Sequence, residues 1–312
     1  MKILVTGGAG FIGSHLSDRL LSDGHFVACV DDLSLGRLEN ISHNFKNPRF
    51  RFIKLDILKS GPLERVFAKG GFDCVFHLAA NSDIQAGSRR LTEDLDRTFM
   101  TTFRVLCCMK KYGVKKIVFS STSAVYGELS GALREDSGPL FPVSNYGAAK
   151  LAAEAYVSAF AANCGMRAWI FRFPNVIGER ATHGVVFDFI NKLRANPRKL
   201  VILGNGKQCK PYLYVKDLVD GMVFGFSKSK AALNCFNLGV SGGTRVSQIA
   251  KIVAREMGLP KVRFVYTGGS RGWPGDVPRF CYSLEKIHSL GWKASRSSDE
   301  AVTLAVRACL KK

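Results

Sequence analysis

With 312 residues, 46% of them hydrophobic and 22% charged, the chain has the composition of a globular protein and not of a disordered or fibrous one. Its 45 basic and 25 acidic side chains give a net charge of +20, which favours polyanions and anionic small molecules as partners but does not fix a fold. The nine cysteines are odd in number and lack C-x-x-C spacing, so they read as reduced thiols and not as a disulfide framework or a metal site.

The N-terminus runs straight into an apolar strand pattern at 3–5, without the basic segment, apolar stretch and cleavage site of a signal peptide. No apolar run is long enough to span a bilayer. A cytoplasmic protein without membrane contact is expected. Strands are predicted at 3–5, 26–30, 50–55, 74–78, 116–120 and 169–173, and helices at 11–21, 62–68, 93–111 and 145–162. Strands apolar on both faces and separated by helices imply a parallel sheet covered on both sides, an α/β doubly wound (Rossmann) fold. After about residue 174 glycines, prolines and loops increase, with helices predicted at 187–194 and 246–257. The expected organisation is a dinucleotide-binding domain over 1–173, to which later segments can return, and a smaller, mainly substrate-binding lobe over 174–312. The basic residues are scattered in pairs such as Lys110–Lys111, Lys115–Lys116 and Arg198–Lys199, so a solvated basic surface is expected and a nucleic-acid partner is not.

Thr6-Gly7-Gly8-Ala9-Gly10-Phe11-Ile12-Gly13 joins the first strand to the first helix, with glycines at 7, 10 and 13. A turn with positive φ, close approach to a pyrophosphate and tight strand–helix packing each call for glycine, and the helix N-terminus supplies N–H groups and a positive dipole end. Asp31, with Asp32 beside it, closes the second strand. An acid there accepts the hydroxyls of an adenine ribose and repels a 2′-phosphate, which favours NAD over NADP, although Arg37 lies near. Tyr146 and Lys150 are spaced i, i+4 behind Ser144, a candidate N-cap, so both project from one helical face. A lysine ammonium one turn away would favour a tyrosinate able to take a proton from a hydroxyl. The strand before them ends in Ser120-Ser121-Thr122-Ser123, hydroxyls that can bond a reacting oxygen; Tyr126 is a second, lower-ranked candidate base because no lysine follows it four residues later.

These segments, together with His77-Leu78-Ala79-Ala80, Ser120-Ser121-Thr122-Ser123-Ala124-Val125-Tyr126-Gly127, Tyr146-Gly147-Ala148-Ala149-Lys150 and Phe171-Arg172-Phe173-Pro174-Asn175-Val176-Ile177-Gly178, resemble the extended short-chain dehydrogenase/reductases. Within that family the chain is most similar, end to end, to NAD-dependent nucleotide-sugar epimerases of the UDP-glucose (UDP-galactose) 4-epimerase type. The likeness continues through Leu203-Gly204-Asn205-Gly206, Tyr212-Leu213-Tyr214-Val215-Lys216-Asp217 and Arg271-Gly272-Trp273-Pro274-Gly275-Asp276. It implies NAD held by Gly7, Gly10, Phe11, Ile12, Gly13, Asp31, Asp32, Asp56, Ile57, Leu78, Ala79, Ala80, Tyr146, Lys150 and Phe173. It implies Tyr146 as base, Lys150 on the nicotinamide ribose and Thr122 on the sugar O4, so that Thr122, Tyr146 and Lys150 are the catalytic set. Asn175, Val186, Lys210, Tyr212, Arg271 and Phe280 would contact the rest of the nucleotide sugar, and the helices at 93–111 and 145–162 would pair in a homodimer.

The residues after Thr122 discriminate among reactions. Dehydratases of this family carry an Asp-Glu pair there, and UDP-glucuronate decarboxylases a glutamate at the second position; here the pair is Ser123-Ala124. C4 epimerisation through a transient 4-keto sugar needs no further acid. Thr98 stands where the family usually has Asn, and Lys210 where it has an arginine, which keeps the charge but loses the bidentate fork. The alternatives are another nucleotide-sugar enzyme, such as a UDP-glucuronate 4-epimerase or a reductase, and a non-catalytic nucleic-acid-binding member of the superfamily.

Overall fold

The short β-branched and aromatic runs become buried parallel strands. In a computed structural model that describes residues 1–83, 87, 90–272, 277 and 279–311, seven of them form one parallel sheet. They are β1 (Lys2–Thr6), β2 (Phe26–Asp31), β3 (Phe50–Lys54), β4 (Cys74–His77), β5 (Lys116–Thr122), β6 (Arg167–Phe173) and β7 (Leu233–Asn237). Their order is β7-β6-β5-β4-β1-β2-β3. The order reverses between β1 and β4, and a doubly wound sheet binds ligands beyond the carboxyl ends of the strands at such a point. The register aligns those ends: Thr6 faces Val30 and His77, and His77 faces Phe119.

Apolar side chains cover both faces of the sheet. Leu4, Val30, Val75 and Phe119 pack with Leu106, Met109, Ala153 and Val157 on one side. On the other, the Phe226 ring lies edge-on to Phe76 at 5.4 Å and to Trp169 at 4.8 Å. The principal helices here are α1 (Phe11–Ser22), α2 (Ser60–Gly70), α3 (Thr101–Lys111) and α4 (Asn145–Cys164). The Ser144 hydroxyl caps α4 by accepting from the Gly147 N–H at 3.1 Å, and Gly165 ends it in the left-handed region at φ 57°.

The single helix expected over 93–111 is instead a short helix, Leu91–Asp94, a π-helical stretch, Leu95–Met100, and then α3. A wider turn frees backbone carbonyls, and here the Thr101 and Thr102 hydroxyls bond back to Arg97 O and Thr98 O at 2.8 Å each. The buried Thr98 hydroxyl accepts from the Asn81 N–H at 3.1 Å, pinning the loop after β4.

The chain divides into two compact units that alternate along the sequence. One comprises Met1–Gly127, Gly138–Arg172 and Met222–Phe236; the other comprises Glu128–Ser137, Phe173–Gly221 and Asn237–Lys312. The sequence expectation is a boundary near 173 with later segments able to return to the first domain. The chain crosses between the units several times because β7 is an edge strand of the large sheet, while Ala132–Leu133 pairs with Cys281–Tyr282. In the second unit Asn175–Ile177 pairs with Tyr212–Tyr214 and Lys199–Ile202 with Arg263–Tyr266, both parallel. Helices Val185–Ala195, Val246–Glu256 and Ser298–Leu310 enclose Ile190, Leu193, Leu200, Ile249, Val253 and Val302. Among the described residues no helix is long and apolar enough to cross a membrane.

Candidate active site

The turn after β1 leaves room only for hydrogen at Gly7 and Gly13. Gly7 has φ +68°, and a Cβ there would lie 2.8 Å from Ala79 N. A Cβ on Gly13 would lie 2.1 Å from the Gly7 carbonyl oxygen. Gly10 opens α1; among the described residues no side chain caps it and its first turn holds no acid. The N–H groups of Phe11, Ile12 and Gly13 and the positive end of α1 are therefore available to an anion. Thr6 Oγ1 receives the N–H groups of Leu78 at 3.3 Å and Ala79 at 3.4 Å, which brings the half-buried Leu78, Ala79 and Ala80 alongside this turn.

At the end of β2, Asp31 accepts from Ala9 N at 3.0 Å and Leu33 N at 2.8 Å. Burial raises its pKa against the pull of those backbone bonds. A Cβ at Gly36 would stand 2.5 Å from its Oδ1, so glycine keeps the carboxylate open on that side. Burial works against the charge on Asp32, but the Ser34 hydroxyl and N–H and the Arg97 guanidinium, 3.2 Å away, outweigh it and hold its pKa low. Arg37 is exposed. Asp56 accepts from Leu58 N at 3.0 Å, Ile57 is buried in the core, and Phe173 is half-buried at the end of β6. A glycine cradle that a single Cβ would fill, an uncapped helix start and a strand-end carboxylate meet the needs of a pyrophosphate and a ribose diol. The residues present fit NAD.

Three consecutive residues at the end of β5 each engage one side chain from a single face of α4. The Ser120 carbonyl accepts from Lys150 Nζ at 2.6 Å, the Ser121 hydroxyl donates to Glu154, and Thr122 is hydrogen-bonded to the Tyr146 phenol. Lys150 is 2% exposed and lies over the Phe119 ring. Burial pushes its pKa down to about 7, with Glu154 pulling the other way. Burial also raises the Tyr146 pKa, and the Asp94 carboxylate raises it further, while the Thr122 bond lowers it. The sequence expectation gives Lys150 that lowering effect, but here its ammonium is committed to the Ser120 carbonyl. Tyr126 is fully buried beneath the Arg172 guanidinium, 4.8 Å from its ring centre, which leaves Tyr146 as the tyrosine at the strand end. Ser123 and Ala124 follow Thr122 in a 3₁₀ turn, and Thr122 Oγ1 accepts from Ala124 N at 3.1 Å.

Glu154 and Asp94 lie outside the motifs of the sequence, and His77 and Arg172 stand within them without a role of their own. Glu154 continues the i, i+4 phase of Tyr146 and Lys150 and was legible in principle; Arg172 has no local signal.

In the second unit the register pairs Tyr212 directly with Asn175. Asn175 is exposed, whereas Tyr212 and Val186 are core residues, and Tyr212 N donates to Ser298 Oγ at 3.1 Å. Lys210 pairs with Thr244; its neighbour Cys209 pairs with Arg245 and bridges to Arg279, so three cations share this small sheet. Arg271 Nη2 lies 2.6 Å from Glu128 Oε1, and the Phe280 ring is edge-on to Tyr282 at 5.6 Å. Trp273-Pro274-Gly275-Asp276 lies outside the described residues.

Comparison with known proteins bears on this geometry. Residues 3–239 match the NAD dependent epimerase/dehydratase family. The UDP-glucose 4-epimerase of Mycolicibacterium smegmatis is 33% identical over 265 residues, 83% of this chain and 84% of that one. The crystal structure of the Thermotoga maritima UDP-glucose 4-epimerase with UDP-glucose superposes with a TM-score of 0.89 at 34% identity, covering 100% of this chain and 99% of the other. The Thermus thermophilus UDP-glucose 4-epimerase complex with NAD gives 0.87 at 30% identity, covering 99% and 98%. With its glycine cradle, its strand-end acid and the Thr122, Tyr146 and Lys150 cluster, the chain belongs to the NAD-dependent epimerase/dehydratase family.

Proposed function

We propose that the protein inverts the C4 hydroxyl of a UDP-hexose, interconverting UDP-glucose and UDP-galactose. The observation that carries this reading is the cluster at the end of β5: a threonine hydroxyl, a tyrosine and a buried lysine, followed by Ser123-Ala124, which offer no second acid for elimination or decarboxylation. When bound at the glycine cradle, NAD supplies the acceptor and then the donor of the C4 hydride, and a positive ring that favours the tyrosinate. Thr122 hydrogen-bonds the sugar O4. Tyr146 takes the O4 proton as the C4–H bond breaks and the carbonyl forms, then returns it when the opposite face is reduced. Lys150 anchors the nicotinamide ribose. Gly7, Gly10, Phe11, Ile12 and Gly13 hold the pyrophosphate, Asp31 and Asp32 the adenine ribose, Asp56 and Ile57 the adenine, and Leu78, Ala79, Ala80 and Phe173 the rest of the cofactor.

The second unit carries the nucleotide end of the substrate. Lys210 and Arg271 meet the diphosphate, Asn175, Val186 and Tyr212 the nucleoside, and Phe280 borders the sugar with a bulk that favours a plain hexose over an N-acetylated one. A cytoplasmic homodimer completes the reading. None of the nine cysteines is in a disulfide, in keeping with a reducing compartment, and Phe99, Phe103 and the exposed Tyr156 form a ring cluster that suits a helix-paired interface. Light scattering tests the dimer.

The test of function is proton NMR of UDP-, GDP- and TDP-sugars incubated with the protein, without and then with added NAD. The expected result is the C4 epimer of a UDP-hexose and its loss in Tyr146→Phe. Conversion of UDP-glucuronate alone would replace the substrate, and undiminished turnover by Tyr146→Phe would remove the base.

A further inference from the structure

We infer that Ser121, Glu154 and Arg172 form a positioning unit for the reaction, a buried ion pair keyed to β5 that holds Lys150 and Tyr146 in place against Ser120 and Thr122. The inference rests on the reading of Tyr146 and Lys150 given above.

Glu154 lies one turn beyond Lys150 and two beyond Tyr146 on the same face of α4, and is 4% exposed. Both of its oxygens are committed. Arg172 Nε reaches Oε1 at 3.0 Å and Oε2 at 3.2 Å, Arg172 Nη2 reaches Oε2 at 2.6 Å, and the Ser121 hydroxyl donates to Oε1. This forked geometry fixes direction as well as distance. Arg172, 6% exposed, comes from β6, and its guanidinium covers Tyr126 in the turn that begins at Thr122. One ion pair therefore joins α4 and β6 to β5 and to the turn after it.

Stability alone does not account for such a pair. Desolvating two charges offsets most of their attraction, and well-packed apolar replacements are often as stable or more so. Its neighbours give it a second effect. Glu154 favours the charged form of Lys150, which burial opposes. The other titratable groups that act on this set are Asp94 on Tyr146, and Tyr126 and Cys235 on Arg172, while Lys150 itself acts on His77 of β4. His77 is neutral at working pH because burial and Lys150 lower its pKa to about 3. Glu154 is thus the one anion acting on Lys150 among the described residues.

The test compares kcat, KM and the pH profile of UDP-hexose epimerisation in S121A, E154Q, E154Q/R172M and Y146F, each checked for folding by circular dichroism. E154Q is expected to lose roughly tenfold or more in kcat with KM within about twofold, because misplacement by a fraction of an ångström costs rate and not binding. Its alkaline limb moves to lower pH as Lys150 loses its anion. E154Q/R172M leaves no uncompensated buried charge and is expected to stay slow although folded. S121A removes one hydrogen bond and no charge, so it tests the inference even if the double variant does not fold; its kcat falls by about two- to fivefold with the limb unmoved. Wild-type kcat and pH profile in folded E154Q/R172M, or wild-type kcat in S121A, overturns the inference. Full activity in Y146F would refute the base assignment instead, and loss in Y146F beside an unaltered E154Q refutes the positioning unit alone.

Discussion

His77 ties the stability of the fold to acid. The side chain is fully buried at the end of β4, with Nδ1 2.7 Å from Thr6 Oγ1 and Nε2 3.0 Å from Thr102 Oγ1. Thr102 already donates its proton to Thr98 O at 2.8 Å, so its oxygen accepts from Nε2–H, and Nδ1 accepts from Thr6. The ring is therefore neutral, with the proton on Nε2. Burial, then the charge of Lys150, lowers its pKa from 6.5 to about 3. Between those values the unfolded chain binds a proton that the folded chain does not, so this contribution is full above 6.5 and is lost as the pH falls. Two pH units below 6.5 the loss amounts to about 2.7 kcal/mol. His77→Gln forfeits ring packing and one hydrogen bond and should be less stable than the parent near neutrality by about 1–3 kcal/mol. That deficit should shrink by about 2.7 kcal/mol by about pH 4.5, since carboxylate titration is common to both proteins. Urea midpoints of the pair across this range measure the difference, and a deficit that does not change with pH refutes the buried neutral imidazole.

Gly13→Ala places a Cβ 2.1 Å from the Gly7 carbonyl oxygen, so the turn must open. NAD affinity, read by titration calorimetry, should drop by at least about tenfold, and unchanged affinity would show that the cradle tolerates the shift. Lys150→Met should lower kcat by about a hundredfold. It should also remove the part of wild-type stability that rises with pH between about 7 and 10.5, where the unfolded lysine holds a proton that the buried one has lost; chemical denaturation at several pH values checks this. Ser297 caps the last helix in a reciprocal box with Glu300, and Ser297→Ala should cost about 1 kcal/mol, seen as a lowered Tm with turnover intact.

The local chemistry was legible in the sequence. Glycines at 7, 10 and 13 between a strand and a helix specify a turn whatever surrounds them, because φ and Cβ clearance are properties of a few adjacent residues. Helical phase alone puts Tyr146 and Lys150 on one face, and the Ser144 cap fixes where that helix begins. Alternating apolar runs and amphipathic helices sufficed for the doubly wound sheet. The helix at 93–111 was only half legible, since the π-helical stretch at Leu95–Met100 depends on threonine back-bonds and on the Asn81 loop packed against Thr98.

The tertiary structure decided the rest. It bonds Lys150 to the Ser120 carbonyl and not to the phenol, and burial sets the pKa of both groups. It buries Tyr126 under Arg172, a contact with no local signal in the sequence. It also returns residues 222–236 to the sheet of the first unit and assigns 128–137 to the second. None of these is periodic along the chain. Desolvation and charge pairing depend on which elements meet in space, so Glu154 and Arg172, 18 positions apart, form a pair only once α4 and β6 have packed.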